Sequence, residues 1–262
     1  MQTQFEPAPG FESKAEFESA LPRSFIYRFL AQIFDYPNGE SWAWLTDRQT
    51  ATAMDEAARA LGIEAAAQPM LEQLAGGSFQ EFLEAHLAAF GHAARGTVPV
   101  NEIDYGDLKA DPLFQPHRLA DLAAFYCAFG LELASGASER QDHVCLELEF
   151  MSVLAAKEMY ATGNQAGPDA LTVCRAAEKE FLREHLGRWA PAFTRRVEKS
   201  VNDSVLIQAA RFTRSFIETE CARFGVNPGS EDLVLRPIDE EADSLCASCG
   251  LRNLPPGAMN PT

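Results

Sequence analysis

One stretch decides the fold of this chain: residues 21–37, LPRSFIYRFLAQIFDYP. Its apolar side chains recur at intervals of three and four residues: Phe25, Ile26, Phe29, Leu30, Ile33 and Phe34. This spacing places them along one wide face of a helix. Because Pro22 suits a first helical turn and Pro37 ends the pattern, the stretch predicts one amphipathic helix that starts near Pro22.

The same periodicity recurs outward from this stretch. It predicts further helices over residues 50–61, 67–75, 78–92 (with Ser78 as the N-cap), 117–133, 142–163, 168–187 and 203–224. Alternation with period two is not sustained, so we predict negligible sheet content. Short connections between helices favour an antiparallel bundle. The predicted fold class is therefore all-α, with residues 19–225 forming a single helical domain.

The two ends of the chain differ in composition from this domain. Residues 1–18 are acidic and are interrupted by Pro and Gly. Residues 226–262 combine several Pro with a dense acidic run and show no helical period. We predict that both ends are flexible tails.

The charge of the chain limits its partners. A formal net charge of -16 repels phosphate backbones, so nucleic acid is not an expected partner. The same field attracts basic peptides, most strongly at low salt. The first residues lack the pattern of a signal peptide, and no apolar run approaches the roughly 18 residues of a membrane span. We therefore expect a cytoplasmic protein without stable membrane insertion.

The segment ERQDHVCLELEFM, residues 139–151, contains the first candidate site. On a helix, His143 and Glu147 lie four residues apart on one face, as two ligands of a metal would. A complete site needs further ligands, and the chain has no second His-x-x-x-Glu pair to supply them. The alternative is structural: Asp142 caps the helix, and His143 and Glu147 pair as neighbours.

The segment VPVNEIDYGDL, residues 98–108, is the second candidate. It places Glu102 and Asp104 beside the aromatic ring of Tyr105 in a predicted loop between two helices. Carboxylates next to an aromatic ring form a seat for an arginine, which is bound by charge and by stacking. The alternative is an acidic loop that is simply solvated.

A third motif, CASCG, lies in the C-terminal tail and contains Cys246 and Cys249. Two thiolates are half of the four ligands that a structural zinc site needs, so zinc binding here would require a partner chain. The sequence contains no Gly-rich phosphate loop, no nucleophile elbow and no Ser or Cys with an evident base beside it. We therefore predict that the protein is not an enzyme and carries no cofactor of its own.

Three segments together resemble a known family: NEIDYGDL, LADLAAFYCAFGLEL and ERQDHVCLELEFMSVLAAKE. They are similar to the signature run of the TorD/DmsD/NarJ chaperones that mature molybdenum enzymes, and most similar to the branch serving type II DMSO-reductase-family enzymes. The resemblance spans roughly residues 20–225. This chain departs from the pattern at Gln141, where the family usually has proline, so we expect a less rigid entry into the following helix.

The resemblance implies an all-helical chaperone, monomeric or homodimeric, that binds the apo catalytic subunit of a molybdenum oxidoreductase, its twin-arginine leader, or both. It implies that the chaperone holds this subunit until the bis-molybdopterin-guanine-dinucleotide (bis-MGD) cofactor is inserted, before export. By resemblance, Asp142 and His143 belong to the peptide-binding site. We extend this site to Glu102, to Asp104 with Tyr105, and to Glu147.

Two rival hypotheses belong to other functional classes. One is a helical metal-dependent enzyme built on His143, Glu147 and the acidic loop, which metal analysis of the purified protein would detect. The other is an accessory subunit that stays permanently bound to its partner, which the stoichiometry of co-purification would detect.

Overall fold

The computed structural model describes residues 14–91, 97–106, 114–134, 139–163, 168–202 and 204–236. The helices run Lys14–Phe34 (α1), Gly39–Leu45 (α2), Arg48–Ala60 (α3), Glu64–Gly76 (α4), Phe79–Phe90 (α5), Phe114–Ala128 (α6), Val144–Gly163 (α7), Pro168–Glu184 (α8), Leu186–Ser200 (α9) and Ser204–Phe224 (α10). A short 3₁₀ turn, Glu102–Asp104, lies between α5 and α6. Extended pairing in these residues is limited to two isolated bridges, which confirms the all-α prediction.

Helix α1 supplies the apolar face that the sequence predicts. Ile26, Phe29, Leu30, Ile33 and Phe34 are all buried, and α1 packs mainly against α7 and α3. The predicted start of this helix was wrong: α1 begins at Lys14, so its proline lies inside the helix and not in the first turn. The preceding residues, KAEFESAL, contain no helix breaker, and the helix extends back through them.

The centre of the bundle is formed by α1, α7, α9 and α10. Helix α10 packs against α9 and α4, and α7 also contacts α8. Aromatic side chains fill the space between them, among them Trp189 and Phe193 from α9 and Phe212 and Phe216 from α10. Among the helices that the structure describes, none combines the length and apolar character needed to cross a membrane.

Helices α2 and α9 were not predicted. Helix α2 has seven residues, too few to show a period. Helix α9 follows α8 after His185 alone and contains Gly187 and Pro191, residues that disfavour a helix interior. Burial outweighs this propensity, because Leu186, Trp189, Ala190, Phe193 and Val197 of α9 are all fully buried.

Helix α6 ends earlier than the predicted 117–133. Gly130 has a positive φ of 75° and donates its N–H to the carbonyl of Cys127. Leu131 then donates back to the carbonyl of Tyr126, which closes the last turn. A glycine in the left-handed region is a common helix terminator. The helix therefore ends here, although the apolar period continues in the sequence to residue 133.

Residues 226–236, which we call the C-terminal strap, lie along the helical body although the sequence places them in the tail. The N–H of Gly229 donates to the carbonyl of Gly187 at 2.9 Å. Further along, Gly106 donates to Val234, and Arg236 donates to Asp104, each at 2.9 Å. Residues 1–13 and 237–262, including Cys246 and Cys249, lie outside the described residues.

A buried ionic cluster ties four helices together. The guanidinium of Arg23 on α1 lies 2.5 Å from Glu158 on α7, 3.1 Å from Glu178 on α8 and 2.7 Å from Glu220 on α10. All four side chains are buried. Arg175 also pairs with Glu158 at 2.8 Å, and Arg223 pairs with Glu220 at 3.3 Å, so Arg23 is the buried centre of a larger ionic network.

Candidate functional site

The structure joins the two segments that the sequence singled out. Asn101 pairs with His143 in an antiparallel bridge. On either side, Glu102 donates its N–H to the carbonyl of Asp142, and Val144 donates to the carbonyl of Val100, each at 2.9 Å. The 98–106 segment and the start of α7 therefore form one continuous backbone unit.

His143, and not Asp142, occupies the cap of α7. The carbonyl of His143 accepts the N–H of Glu147, and its Nδ1 accepts the N–H of Cys145 at 3.2 Å. Burial lowers the pKa of His143 despite the negative charges of Glu139 and Asp35, so the imidazole is neutral at pH 7. Since Nδ1 accepts a hydrogen bond, Nε2 carries the proton.

Asp142 is buried and holds the neighbouring turn. Its Oδ2 accepts the N–H of Ile103 at 3.2 Å. Both carboxylate oxygens also pair with the half-exposed guanidinium of Arg140, at 2.9 Å and 2.7 Å. The capping alternative was therefore wrong for Asp142, whose carboxylate bonds to the 3₁₀ turn and not to the first turn of α7.

Gln141 ties the entry into α7 to α6. Its carbonyl accepts the hydroxyl of Tyr126 at 2.8 Å, and its side-chain amide donates to the carbonyl of Leu119. These two contacts restrain the position that proline usually holds in the family resembled. The expectation of a less rigid entry is not supported by this geometry.

Glu102 lies at the centre of a buried polar network. Its Oε2 lies 2.8 Å from Nδ1 of His185, and its Oε1 accepts from Arg188 at 2.9 Å. Burial alone would raise the pKa of Glu102, but the hydrogen bonds and positive charges of His185 and Arg188 outweigh it and lower the pKa. The Nε2 atom of His185 lies 3.1 Å from Asp121, which connects the network to α6.

The side chain of Glu147 bonds to an indole and not to His143, the neighbour that the sequence suggested. Its Oε2 accepts the N–H of Trp189 at 2.9 Å. Burial and the charge of Glu102 raise the pKa of Glu147 well above its ordinary value, which favours the protonated acid. Within the described residues, no group of three or more His, Cys, Asp or Glu side chains is arranged to hold a metal ion.

The predicted arginine seat is filled by arginines of the chain itself. Tyr105 is fully buried, donates its hydroxyl to the carbonyl of Pro99 at 2.7 Å, and packs against Trp189 with ring centroids 5.0 Å apart. The guanidinium of Arg196 lies 5.8 Å from the Tyr105 ring centroid, and Arg188 donates a hydrogen bond to Glu102. Asp104 is half-buried, and its carbonyl accepts from the C-terminal strap.

Sequence reasoning missed the residues that complete this network. His185, Arg188 and Trp189 lie in REHLGRW at the junction of α8 and α9, where no helix start was predicted. The available signal was this run of charged and aromatic residues around a glycine. It indicates a helix boundary with polar side chains, but it does not name their partners in the 102–105 turn.

Comparison with known proteins gives a consistent set of matches. A family model described as nitrate reductase delta subunit matches residues 51–195, which is more than half of the chain. No solved structure gives a significant match.

Three curated relatives illustrate the range of identity and coverage among the matches. The selenate reductase assembly chaperone protein of Thauera selenatis is 32% identical over 76% of this chain and 88% of its own length. The perchlorate reductase assembly chaperone protein of Dechloromonas aromatica is 27% identical over 77% of this chain and 89% of its own length. The chaperone protein TorD of Vibrio cholerae is 28% identical over 45% of this chain and 49% of its own length.

Proposed function

The chain belongs to the nitrate reductase delta subunit family, a family of assembly chaperones, and from this membership we propose that it holds the catalytic subunit of a molybdenum oxidoreductase during maturation. Two of these relatives are named as assembly chaperones of selenate and perchlorate reductases, a non-enzymatic role. The client proposed for this chain is accordingly a reductase of the type II DMSO-reductase family. Its binding and release take place in the cytoplasm, before export.

One structural observation carries this proposal. Two of the three segments that bear the family resemblance, those that begin at Asn101 and at Glu139, meet in one unit that is paired through the backbone and supported by the Glu102 network. A catalytic role would need reactive groups that are open to a substrate. Here Glu102, Asp142 and Glu147 are buried, and each is bonded to another group of the chain: His185 and Arg188, Arg140 and a backbone N–H, and the indole of Trp189. This suits a binding surface of fixed shape.

The roles within the site divide according to burial. Glu102, Tyr105 and Glu147 are fully buried, and they maintain the shape of the unit from inside. Half-buried His143 and the half-exposed guanidinium of Arg140, which buried Asp142 holds in place, lie at its outer side, where they contact the client. Asp104 also contributes at the edge of the unit, next to the strap.

The client segment that fits best is a basic and apolar peptide. With a formal net charge of -16, the chain attracts cationic segments and raises their rate of encounter. A twin-arginine leader has this chemistry. Holding it would keep the apo subunit from export until bis-MGD is inserted.

Affinity purification from the native host, followed by mass spectrometry, tests the proposed function. We expect a single molybdenum oxidoreductase subunit to be enriched in its cofactor-free form. Deleting the chaperone should lower the molybdenum content of that subunit. If the chain instead co-purifies with the mature enzyme at fixed stoichiometry, it is an accessory subunit; if no reductase is captured, the proposal is wrong.

A further inference from the structure

A cleft lies between the end of α6 and the first half of α7, beside the unit described above. It has a volume of about 150 Å³. Its apolar lining consists of Tyr126, Leu131, Leu133, Leu146, Phe150 and Val153. An apolar cavity of about this volume can hold one aromatic or aliphatic group.

Two carboxylates border this cleft. Glu132 and Glu149 line it together with the apolar residues, and both are exposed. Within the described part of the chain, neither forms a hydrogen bond or ion pair with another residue. Partial burial and the charge of Asp35 raise the pKa of Glu149 against the opposing effect of Arg28.

This arrangement differs from the seat that the sequence predicted. Glu102 and Tyr105 already have Arg188 and Arg196 as partners. The carboxylates at the cleft form no hydrogen bond or ion pair of this kind with the residues that the structure describes, and they lie next to an apolar space of side-chain size. A ligand with a cation beside an aliphatic side chain would therefore complement the cleft and not the 102–105 turn.

We propose that this cleft binds an arginine-bearing apolar segment of the client: one aliphatic or aromatic side chain enters the cleft, and the arginine lies against Glu132 and Glu149. Arginine fits better than lysine because its planar guanidinium can bond two carboxylates at once. The cleft adjoins the start of α7, since Tyr126 both lines it and bonds to Gln141. This inference rests on the proposed function and names the contact for the client peptide.

The test uses the full chain and a synthetic peptide with two adjacent arginines followed by a short run of leucine and alanine. Binding is measured by calorimetry at low and physiological salt. A second peptide carries citrulline at both arginine positions, which removes the charge and keeps the shape. We expect the citrulline peptide to bind about tenfold more weakly at low salt, with a smaller difference at high salt.

Matched protein variants locate the contact. The double change Glu132→Gln with Glu149→Gln should weaken binding of the arginine peptide about tenfold and leave binding of the citrulline peptide unchanged. The control, Glu56→Gln with Glu218→Gln, removes the same charge from exposed positions on α3 and α10 that do not line the cleft. It should affect binding only through the general field. Val153→Phe should fill the cleft and weaken binding of both peptides. Thermal melting verifies that this variant is folded.

The outcomes separate this inference from the proposed function. If wild-type protein binds no arginine peptide, or if the cleft and control variants bind it equally, the cleft assignment is overturned. Capture of the client from host extract is measured in parallel with the same variants. Capture that persists while the peptide results fail would leave the chaperone function intact and would place the client contact elsewhere.

Discussion

The Nδ1 atom of His185 lies 2.8 Å from Oε2 of Glu102, in an interior where neither side chain reaches solvent. The second ring nitrogen faces Asp121 at 3.1 Å, so a proton on either nitrogen has a carboxylate acceptor. This contact connects the 3₁₀ turn at 102–104 with the start of α9 and with α6. His185 thereby holds the 102–104 turn of the site against the helical bundle.

We therefore expect Glu102→Ala to destabilise the fold and not merely to weaken client binding. It would leave His185 and Arg188 without their shared carboxylate in a buried site, a loss of about 3–5 kcal/mol. Urea unfolding at pH 7 measures it. Glu218→Ala, on the exposed face of α10, should change stability by less than about 0.5 kcal/mol. If Glu102→Ala is as stable as the wild type and loses only client binding, Glu102 contacts the client directly.

The helices show how much of the fold could be predicted from local pattern. Helix α1 was predicted because its apolar residues repeat on one face. A helix that buries one face has apolar residues at intervals of three and four, and the sequence shows this pattern. Helix α9 was missed because Gly187 and Pro191 oppose it locally, while the packing of Trp189 and Phe193 that stabilises it is tertiary. Local propensity carries no record of such packing.

The site shows the same division. Glu102 and Tyr105 could be singled out by residue type and spacing, but their burial could not. It depends on His185, Arg188 and Arg196, which lie more than 80 residues away in the chain. Because nothing near residue 102 indicates those partners, an acidic loop predicted to be exposed proved to be an internally neutralised turn.

The proposed role of Asp142 in client binding, which acts through its pair with Arg140, can be separated from its role in the fold. Asp142→Ala leaves the buried N–H of Ile103 without its acceptor, which should cost about 1–3 kcal/mol. Asp142→Asn keeps an oxygen for that N–H and removes the charge. We expect the Asn variant to melt near the wild-type temperature and to bind the client less tightly. Unchanged client capture by a folded Asp142→Asn protein would remove Asp142 from the binding surface.

The strap should be sensitive to any side chain at Gly229. A Cβ atom there would lie 1.8 Å from the carbonyl oxygen of Arg188, so Gly229→Ala must push the strap away from α9. We expect a loss of about 1–3 kcal/mol and faster hydrogen exchange at the amides of Gly106 and Arg236. Gly39→Ala is the control, because a Cβ there meets nothing within 4 Å. Equal behaviour of the two variants would mean that the strap is not held at this point.

Two truncations distinguish the strap from the rest of the tail. Deleting residues 240–262 should leave the fold intact, with a change in melting temperature below about 3 °C. Deleting 229–262 removes the hydrogen bonds to Gly187, Gly106 and Asp104 and should lower it by more than about 5 °C. A large fall from the shorter deletion would contradict the prediction and would favour a structural role, such as zinc binding, for Cys246 and Cys249.

The cluster around Arg23 predicts a specific pH dependence. Burial, together with the charges of Glu158 and Glu220, raises the pKa of Glu178 to about 8 despite the attraction of Arg23. In the unfolded chain the same carboxyl has an ordinary pKa near 4.5. Between these values the folded state keeps a proton that the unfolded state has released. The free energy of unfolding therefore falls as pH rises through this window.

Glu178→Gln removes the ionisable group, keeps an oxygen for Arg23, and should remove this contribution. From pH 6 to pH 8 we expect the wild type to lose about 2 kcal/mol relative to the variant, since each pH unit corresponds to about 1.4 kcal/mol. Urea unfolding at both pH values measures the difference, and Glu218→Gln controls for loss of an exposed charge. His86 and His143, whose pKa values are lowered, are unchanged in both proteins and cancel in the comparison. A difference that stays constant across this range would mean that Glu178 is ionised throughout and that Arg23 neutralises it.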